Sequence, residues 1–166
     1  IMPQSSILSV KDNNLFGIHI MNNKMIKNFL IIDCTGKNKF ISLKINGSYY
    51  TNELQRSLEK NQALVQLITN IFKRKKVIID NNFSILVNLG PGSFSGIRIS
   101  IAIAKGIKIA KKINIYGYNN FLLYFANYLN TKKNIISIHK TKNIYYFVEA
   151  KFNNGYQFSV PKKVNF

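Results

Sequence analysis

The sequence predicts an α/β fold in which a mixed sheet is flanked by helices. Three observations predict it. A short apolar run, Ile85-Leu86-Val87-Asn88-Leu89, feeds a glycine turn from Gly90 to Gly96, which opens onto a long segment reaching Lys112. Strand, tight turn and helix in that order make half of a crossover unit. Two earlier apolar runs flank Gly36-Lys37-Asn38, and Asn46-Gly47 follows as a hairpin signal. From Glu53 to Lys75, hydrophobic residues return every three to four positions.

The elements follow in order. Phe29–Thr35 and Lys39–Ile45 read as strands, and Ser48–Thr51 as a third after Asn46-Gly47, a pair that tolerates the positive φ of a two-residue hairpin. Glu53 to Lys75 reads as a helix. Leu54, Leu58, Val65, Ile68 and Phe72 lie on one side, with Leu64, Leu67 and Ile71 beside them. That apolar face is wide for a helix covering one sheet. Lys73-Arg74-Lys75-Lys76 closes it, where cations suit the negative end of the helix dipole. Ser84–Leu89 is the next strand, followed by the glycine turn and its helix, a strand at Ile113–Tyr116 and a helix at Asn119–Asn130. Asn134–His139 and Ile144–Phe152 read as strands, and Asn153-Asn154-Gly155 turns into a last one, Tyr156–Val160.

Gly90-Pro91-Gly92-Ser93-Phe94-Ser95-Gly96-Ile97-Arg98 is the most informative stretch. Its glycines and proline exclude an element interior. Glycine allows positive φ or the close approach of another backbone, and Pro91 presets a turn. Ser93 or Ser95 is placed to cap the following helix. A glycine turn before a helix can cradle phosphate on backbone N–H groups. Neither standard fingerprint fits: no Lys-Ser or Lys-Thr follows Gly96, and Gly90-x-Gly92-x-x-x-Gly96 is one residue longer than the dinucleotide pattern. A turn that simply packs a helix onto a sheet is the competing reading.

Gly96, Ser100 and Ala104 are spaced by four, as are Ala102, Gly106 and Ala110. Residues four apart share a helix face, so this helix carries two narrow rows of small residues. Either row lets a second element approach closely, from within the domain or from a partner. Ile97 to Ile103 also alternates with period two, but Ala, Lys and overall length favour helix.

Leu89-Gly90-Pro91-Gly92-Ser93-Phe94-Ser95-Gly96-Ile97-Arg98-Ile99 resembles the signature of the bacterial TsaB (YeaZ) family, G-P-G-S-F-T-G-[LIV]-R-[IL]-G, with Ser95 in place of Thr and Ser100 in place of the last Gly. Ala104-Lys105-Gly106 resembles the A-[KQ]-G that follows. Asn28-Phe29-Leu30-Ile31-Ile32-Asp33-Cys34-Thr35 resembles the family's opening strand, and Tyr116-Gly117-Tyr118-Asn119-Asn120-Phe121 its G-[VI]-S-S-L segment. The resemblance runs from about Asn28 to about Phe147. It implies an actin-like (ASKHA, ribonuclease H-like) lobe, which the order of three antiparallel strands followed by crossover helices matches. Residues 28–116 are then the first lobe and 117–166 the start of a second, expected to be incomplete. Residues 1–27 look unlike the rest and are expected to be a leader or upstream extension, with Met2, Met21 and Met25 as candidate starts and Met25, just ahead of the opening strand at Leu30, the favoured one.

The formal charge is +18. Such a balance points to nucleic acid or another anionic surface. The chain also holds 26 Ile, 23 Asn and 21 Lys against 3 Arg, the bias that an AT-rich coding sequence writes into any protein, so charge alone does not decide. Cys34 is the single cysteine, which excludes an intrachain disulfide and fits a reducing compartment. No apolar run reaches the roughly 18 residues of a membrane span; the expectation is a cytoplasmic protein with no membrane partner.

Acids are scarce. Asp12, Asp33, Asp80, Glu53, Glu59 and Glu149 form no obvious acid–base or metal pair, and His19 and His139 have no evident catalytic neighbour. The resemblance implies a subunit with no catalysis of its own. It would pair with and activate TsaD, the enzyme that transfers threonylcarbamoyl to the adenosine at position 37 of tRNA, with TsaE, a small ATPase, joining them. tRNA is then a partner through the complex, and a homodimer is the alternative when TsaD is absent. It implies that the two helices of the first lobe build the interface, here through Leu64, Leu67, Ile68, Ile71, Gly96, Ser100, Ile103, Ala104 and Ile107. Asp33 and Thr35 stand where ATP-using members of the fold hold phosphate and Mg²⁺, and read as a nucleotide-binding remnant. No cofactor is firmly implied; the resemblance leaves room for ATP or ADP with Mg²⁺ at the complex interface. The second phosphate loop should fall at Ile138-His139-Lys140-Thr141, where the family has I-D-A-R. The loss of Asp and Arg there disfavours the alternative, a stand-alone small-molecule or acyl-phosphate kinase.

Overall fold

A computed structural model describes residues 26–54, 61–126, 128, 131–141 and 144–164. The expected upstream extension, and the proposed start at Met25, lie outside the described residues. The chain divides into two compact units, one spanning Ile26–Tyr118 and the other running from Asn119 onward.

The first unit holds a five-stranded mixed sheet. Its strands are β1 (Asn28–Asp33), β2 (Lys39–Ile45), β3 (Ser48–Leu54), β4 (Phe83–Asn88) and β5 (Asn114–Tyr118), in the order β3-β2-β1-β4-β5. β1, β2 and β3 pair antiparallel, whereas β4 runs parallel to β1 and β5 parallel to β4. Helix α1 (Asn61–Arg74) leads into β4, and α2 (Phe94–Lys111) connects β4 to β5. Every residue of β4 is buried, as expected of a central parallel strand covered on both faces. Leu30, Ile32, Ile41, Leu43, Ile85 and Val87 of the sheet pack with Leu64, Ile68 and Ile71 of α1 and Ala104 of α2 in one core.

The hairpin prediction is met at Asn46 and Gly47, both at positive φ. The strand that follows is longer than the pattern indicated. Glu53 and Leu54 pair with Phe40 and Lys39, so these two lie in the sheet rather than in the helix; the described helix spans Asn61–Arg74, and residues 55–60 of the expected one lie outside the described residues. Leu54 and Leu58 continue the helical spacing, but the ladder to β2 holds the first of them in the sheet. Ser93 caps α2 as foreseen: its backbone is extended and its Oγ accepts from Gly96 N at 3.2 Å. Lys112 ends the helix in the left-handed region.

The second unit contains α3 (Asn120–Ala126), β6 (Ile135–Thr141), β7 (Ile144–Phe152), β8 (Tyr156–Phe158) and β9 (Lys162–Val164). β7 pairs antiparallel with β6, β8 and β9. Phe121 and Phe125 of α3 pack on Val148 and Ala150 of β7 to form its core. β9 has no counterpart in the sequence reading, because Lys162-Lys163-Val164 shows no alternation.

Candidate functional site

β1, β4 and β5 are parallel neighbours, so their C-terminal ends come together. This is where open parallel sheets present ligand-binding groups. The register puts Asp33, Asn88 and Tyr118 side by side there: Ile32 pairs with Val87, and Asn88 with Tyr118.

The Asp33 carboxylate is buried, and this chain supplies its partners. Oδ1 accepts from Thr35 N at 3.0 Å and Thr35 Oγ1 at 2.7 Å. Oδ2 accepts from Asn88 Nδ2 at 2.7 Å and the Tyr118 hydroxyl at 3.1 Å. A carboxylate offers about four acceptor positions, and these four donors take them. Burial first, and then the negative charge of Asp33, push the Tyr118 phenol far above its usual range, which keeps it protonated as a donor. Asn88 also faces the glycine turn, where its Oδ1 accepts from Gly90 N at 2.9 Å.

The turn is packed directly onto the end of β1. Ser93 N donates to the Thr35 carbonyl at 2.8 Å. A Cβ at Gly92 would collide with that same carbonyl oxygen, and a Cβ at Gly96 with the carbonyl oxygen of Cys34. Two of the three motif glycines are therefore explained by close backbone approach. The third, Gly90, sits at φ 92, which favours glycine. Pro91 follows it through a cis peptide.

These facts test whether the β1 turn fits a nucleotide phosphate with Mg²⁺. A cation would need a lone pair of Asp33, and a phosphate would need open backbone N–H groups. The carboxylate is already saturated and the glycine turn closes over Thr35. As they stand here the residues leave no lone pair of Asp33 open to such a group: Asp33 and Thr35, expected as a nucleotide-binding remnant, form a hydrogen-bonded clamp with Asn88 and Tyr118. Cys34 beside them is buried, and burial pushes its thiol up; it acts as a small hydrophobe. Among the described residues no three His, Cys, Asp or Glu side chains group as a metal site.

The expected partner surface is also rearranged. Leu64, Ile68, Ile71, Gly96, Ser100 and Ala104 are buried within this unit, and Leu67, Ile103 and Ile107 pack partly buried against the same core. The row Gly96-Ser100-Ala104 faces the sheet, because only small side chains allow α2 to lie so close to Cys34. The other row, Ala102-Gly106-Ala110, is exposed, with open space beside Gly106. At the start of α2, Phe94 and Arg98 both point outward, with the guanidinium 5.4 Å from the ring centroid. In the motif, then, Gly90, Gly92, Ser93 and Gly96 shape the turn, while Phe94, Ser95 and Arg98 are presented.

His139 lies in β6, where Tyr124 OH meets its Nδ1 at 3.2 Å and Phe121 and Tyr124 flank the ring. Burial lowers its pKa. The second phosphate-loop position is thus held in an aromatic contact. Sequence reading missed Asn88 and Tyr118. Asn88 could have been found as the polar residue in an otherwise apolar buried run, whereas Tyr118 carried no signal.

The fold is ASKHA-like, and its glycine turn is sealed against the first strand. The model of the family described as tRNA N6-adenosine threonylcarbamoyltransferase (TsaD) matches residues 56–150. The chain belongs to that family and is TsaB (YeaZ)-like. It is 27% identical over 139 residues to the tRNA threonylcarbamoyladenosine biosynthesis protein TsaB of Buchnera aphidicola subsp. Baizongia pistaciae, covering 79% of this chain and 62% of that protein. The chain thus spans under two thirds of the length of this relative. Two Pseudomonas aeruginosa structures share the fold. One is of an uncharacterised protein similar to the peptidase YeaZ (TM-score 0.64, 14% identity) and the other is of YeaZ (TM-score 0.62, 14% identity); each comparison covers 84% of this chain and 67% of the other. Among the described residues no helix is long and apolar enough to cross a membrane.

Proposed function

We propose that this chain is a non-catalytic partner subunit in the formation of N6-threonylcarbamoyladenosine in tRNA, joining and activating a TsaD-like enzyme. The observation that carries this reading is the closed β1 clamp. The edge of the sheet where a kinase of this fold would hold phosphate is filled by Asn88, Tyr118 and the glycine turn. What the chain offers outward instead is the exposed face of α2, with Phe94 and Arg98 at one end and the open row Ala102-Gly106-Ala110 along it. Close helix approach across such a row would build the interface, and a TsaE-like ATPase and tRNA would engage the assembled complex.

The test is co-purification with the TsaD-like protein of the same genome, followed by light scattering and by nucleoside analysis of tRNA from a strain lacking its own TsaB. A one-to-one species that restores the modified nucleoside supports the proposal. A chain that neither associates nor restores it overturns the proposal.

A further inference from the structure

We infer that the outer edge of β3, together with the last turn of α1, is a docking groove for an extended segment of a partner protein that carries carboxylates at its C-terminal end and pairs with β3 as a sixth strand. β3 is an edge of the five-stranded sheet, and among the described residues β2 is its only strand neighbour. The two-residue turn at Asn46-Gly47 makes Ile45 and Ser48 a hydrogen-bonded pair, and such pairs alternate along an antiparallel ladder. Tyr50 and Asn52 therefore bond to β2, while Thr51 and Glu53, both exposed, direct their backbone N–H and C=O groups outward. Sheet edges are ordinarily protected by Lys, Pro or a bulge. β3 has none of these: it reads Ser-Tyr-Tyr-Thr-Asn-Glu-Leu, and all of its residues pair in continuous register.

The groove beside that edge has the form such a guest needs. It encloses about 620 Å³, bounded by residues 49–52 on one side and by Ile71, Arg74 and Lys75 on the other. Adding a strand to an exposed sheet edge is a recurring mode of peptide recognition, in which main-chain bonds give affinity and side-chain contacts give specificity. Charge sets the direction. Arg74 and Lys75 are exposed, Lys75 Nζ stands 3.8 Å from the centroid of the Tyr50 ring, and among the described residues no carboxylate pairs with either cation. The cations thus lie toward the start of β3, whereas Glu53 lies at its end. An antiparallel guest, the more stable pairing, brings its C-terminal end to the start of β3, where its carboxylates meet Arg74 and Lys75. A parallel guest would set the same carboxylates beside Glu53. Ile71 supplies an apolar contact for guest side chains on the α1 side of the sheet.

Main-chain pairing is indifferent to most side chains, so the probe is a fluorescein-labelled peptide of alternating Thr and Val that ends in Asp-Glu with a free C-terminus, titrated with the full chain and read by fluorescence anisotropy. Wild type should bind it. The fully N-methylated peptide, which has no N–H to donate, should not bind. The peptide of reversed order should bind more weakly. Thr51→Pro removes an outward N–H and spares the bonds to β2, and should weaken binding about tenfold. Arg74→Ala with Lys75→Ala should also weaken it about tenfold, by an amount that shrinks as salt rises. Lys108→Ala with Lys111→Ala, which removes the same charge at the end of α2, should change affinity less than about twofold. Absence of wild-type binding overturns the inference, as does binding that survives N-methylation or Thr51→Pro, or equal binding of the reversed peptide. So does an equal loss from the α2 pair, which would mean diffuse charge. Light scattering that shows the chain dimerising, with Thr51→Pro returning it to monomer, while the peptide is ignored, overturns it in favour of a second copy. Circular dichroism of each variant excludes misfolding, and the N-methylated peptide tests the pairing without altering the protein. The inference does not rest on the proposed function, and association with the TsaD-like partner is read separately, so the two fail independently.

Discussion

Replacing Asp33 by Asn is the sharpest perturbation of this structure. The two side chains have the same shape, so packing is preserved and only hydrogen bonding changes. The amide oxygen can keep the two bonds from Thr35, but the new Nδ2 then faces Asn88 Nδ2. Asn88 cannot turn its amide over without losing the bond its Oδ1 accepts from Gly90 N. The Tyr118 hydroxyl can rotate to accept. One buried donor pair is left unsatisfied, at about 1–3 kcal/mol, and the bonds that remain lose their charge assistance, so the total is about 2–4 kcal/mol. Against a typical stability of about 5–15 kcal/mol, that is a large fraction. Tyr118→Phe removes one bond and leaves three, and should cost less, about 1–2 kcal/mol. Urea denaturation followed by circular dichroism measures both. An Asp33→Asn variant within about 0.5 kcal/mol of wild type would refute the clamp. So would Mg²⁺ with ATP raising the thermal midpoint of wild type but not of Asp33→Asn, since that would make the carboxylate a ligand.

Gly96→Ala should abolish stable folding of the unit containing residues 26–118, because its Cβ meets backbone rather than a mobile side chain; a thermal melt like that of wild type would contradict the close approach. At Gly106 the opposite holds: Ala should add about 1 kcal/mol in denaturant titrations, while Trp should leave the fold intact and break partner association in co-purification. Ser93→Ala should cost about 1 kcal/mol through loss of the α2 cap, read by the same titrations. His139 has its pKa lowered by burial. Its contribution is therefore fully present above the unfolded value near 6.5 and declines as pH falls through that value toward the folded one. Melts between pH 7.5 and 5 should show a small loss that His139→Phe removes.

Much of the sheet was legible because its signals are local. The apolar runs of β1, β2 and β4 and the Asn46-Gly47 turn each follow from neighbouring residues. β5 was read as Ile113–Tyr116 but runs to Tyr118, because its last residues are held by pairing to β4 and not by their own pattern. The width of the α1 apolar stripe was legible, and much of it packs within this unit. Helical periodicity reports which side is buried, not whether the covering surface belongs to the same chain. For α2, two equivalent small rows were visible, and only the position of Cys34 decides which one faces inward. The clamp was least legible of all, since Asp33, Asn88 and Tyr118 come from three strands with no shared motif.

That scattering has a kinetic consequence. The bonds from Asn88 and Tyr118 to Asp33 span 55 and 85 residues of chain. The first can close only once β4 has docked on β1 and the second only once β5 has followed, and contacts of such separation are entropically costly to form early. The clamp should therefore be absent from the folding transition state, with Tyr118→Phe leaving the refolding rate nearly unchanged and accelerating unfolding. On this account Asp33 does little to guide the chain to its fold and much to set how long the fold persists once reached.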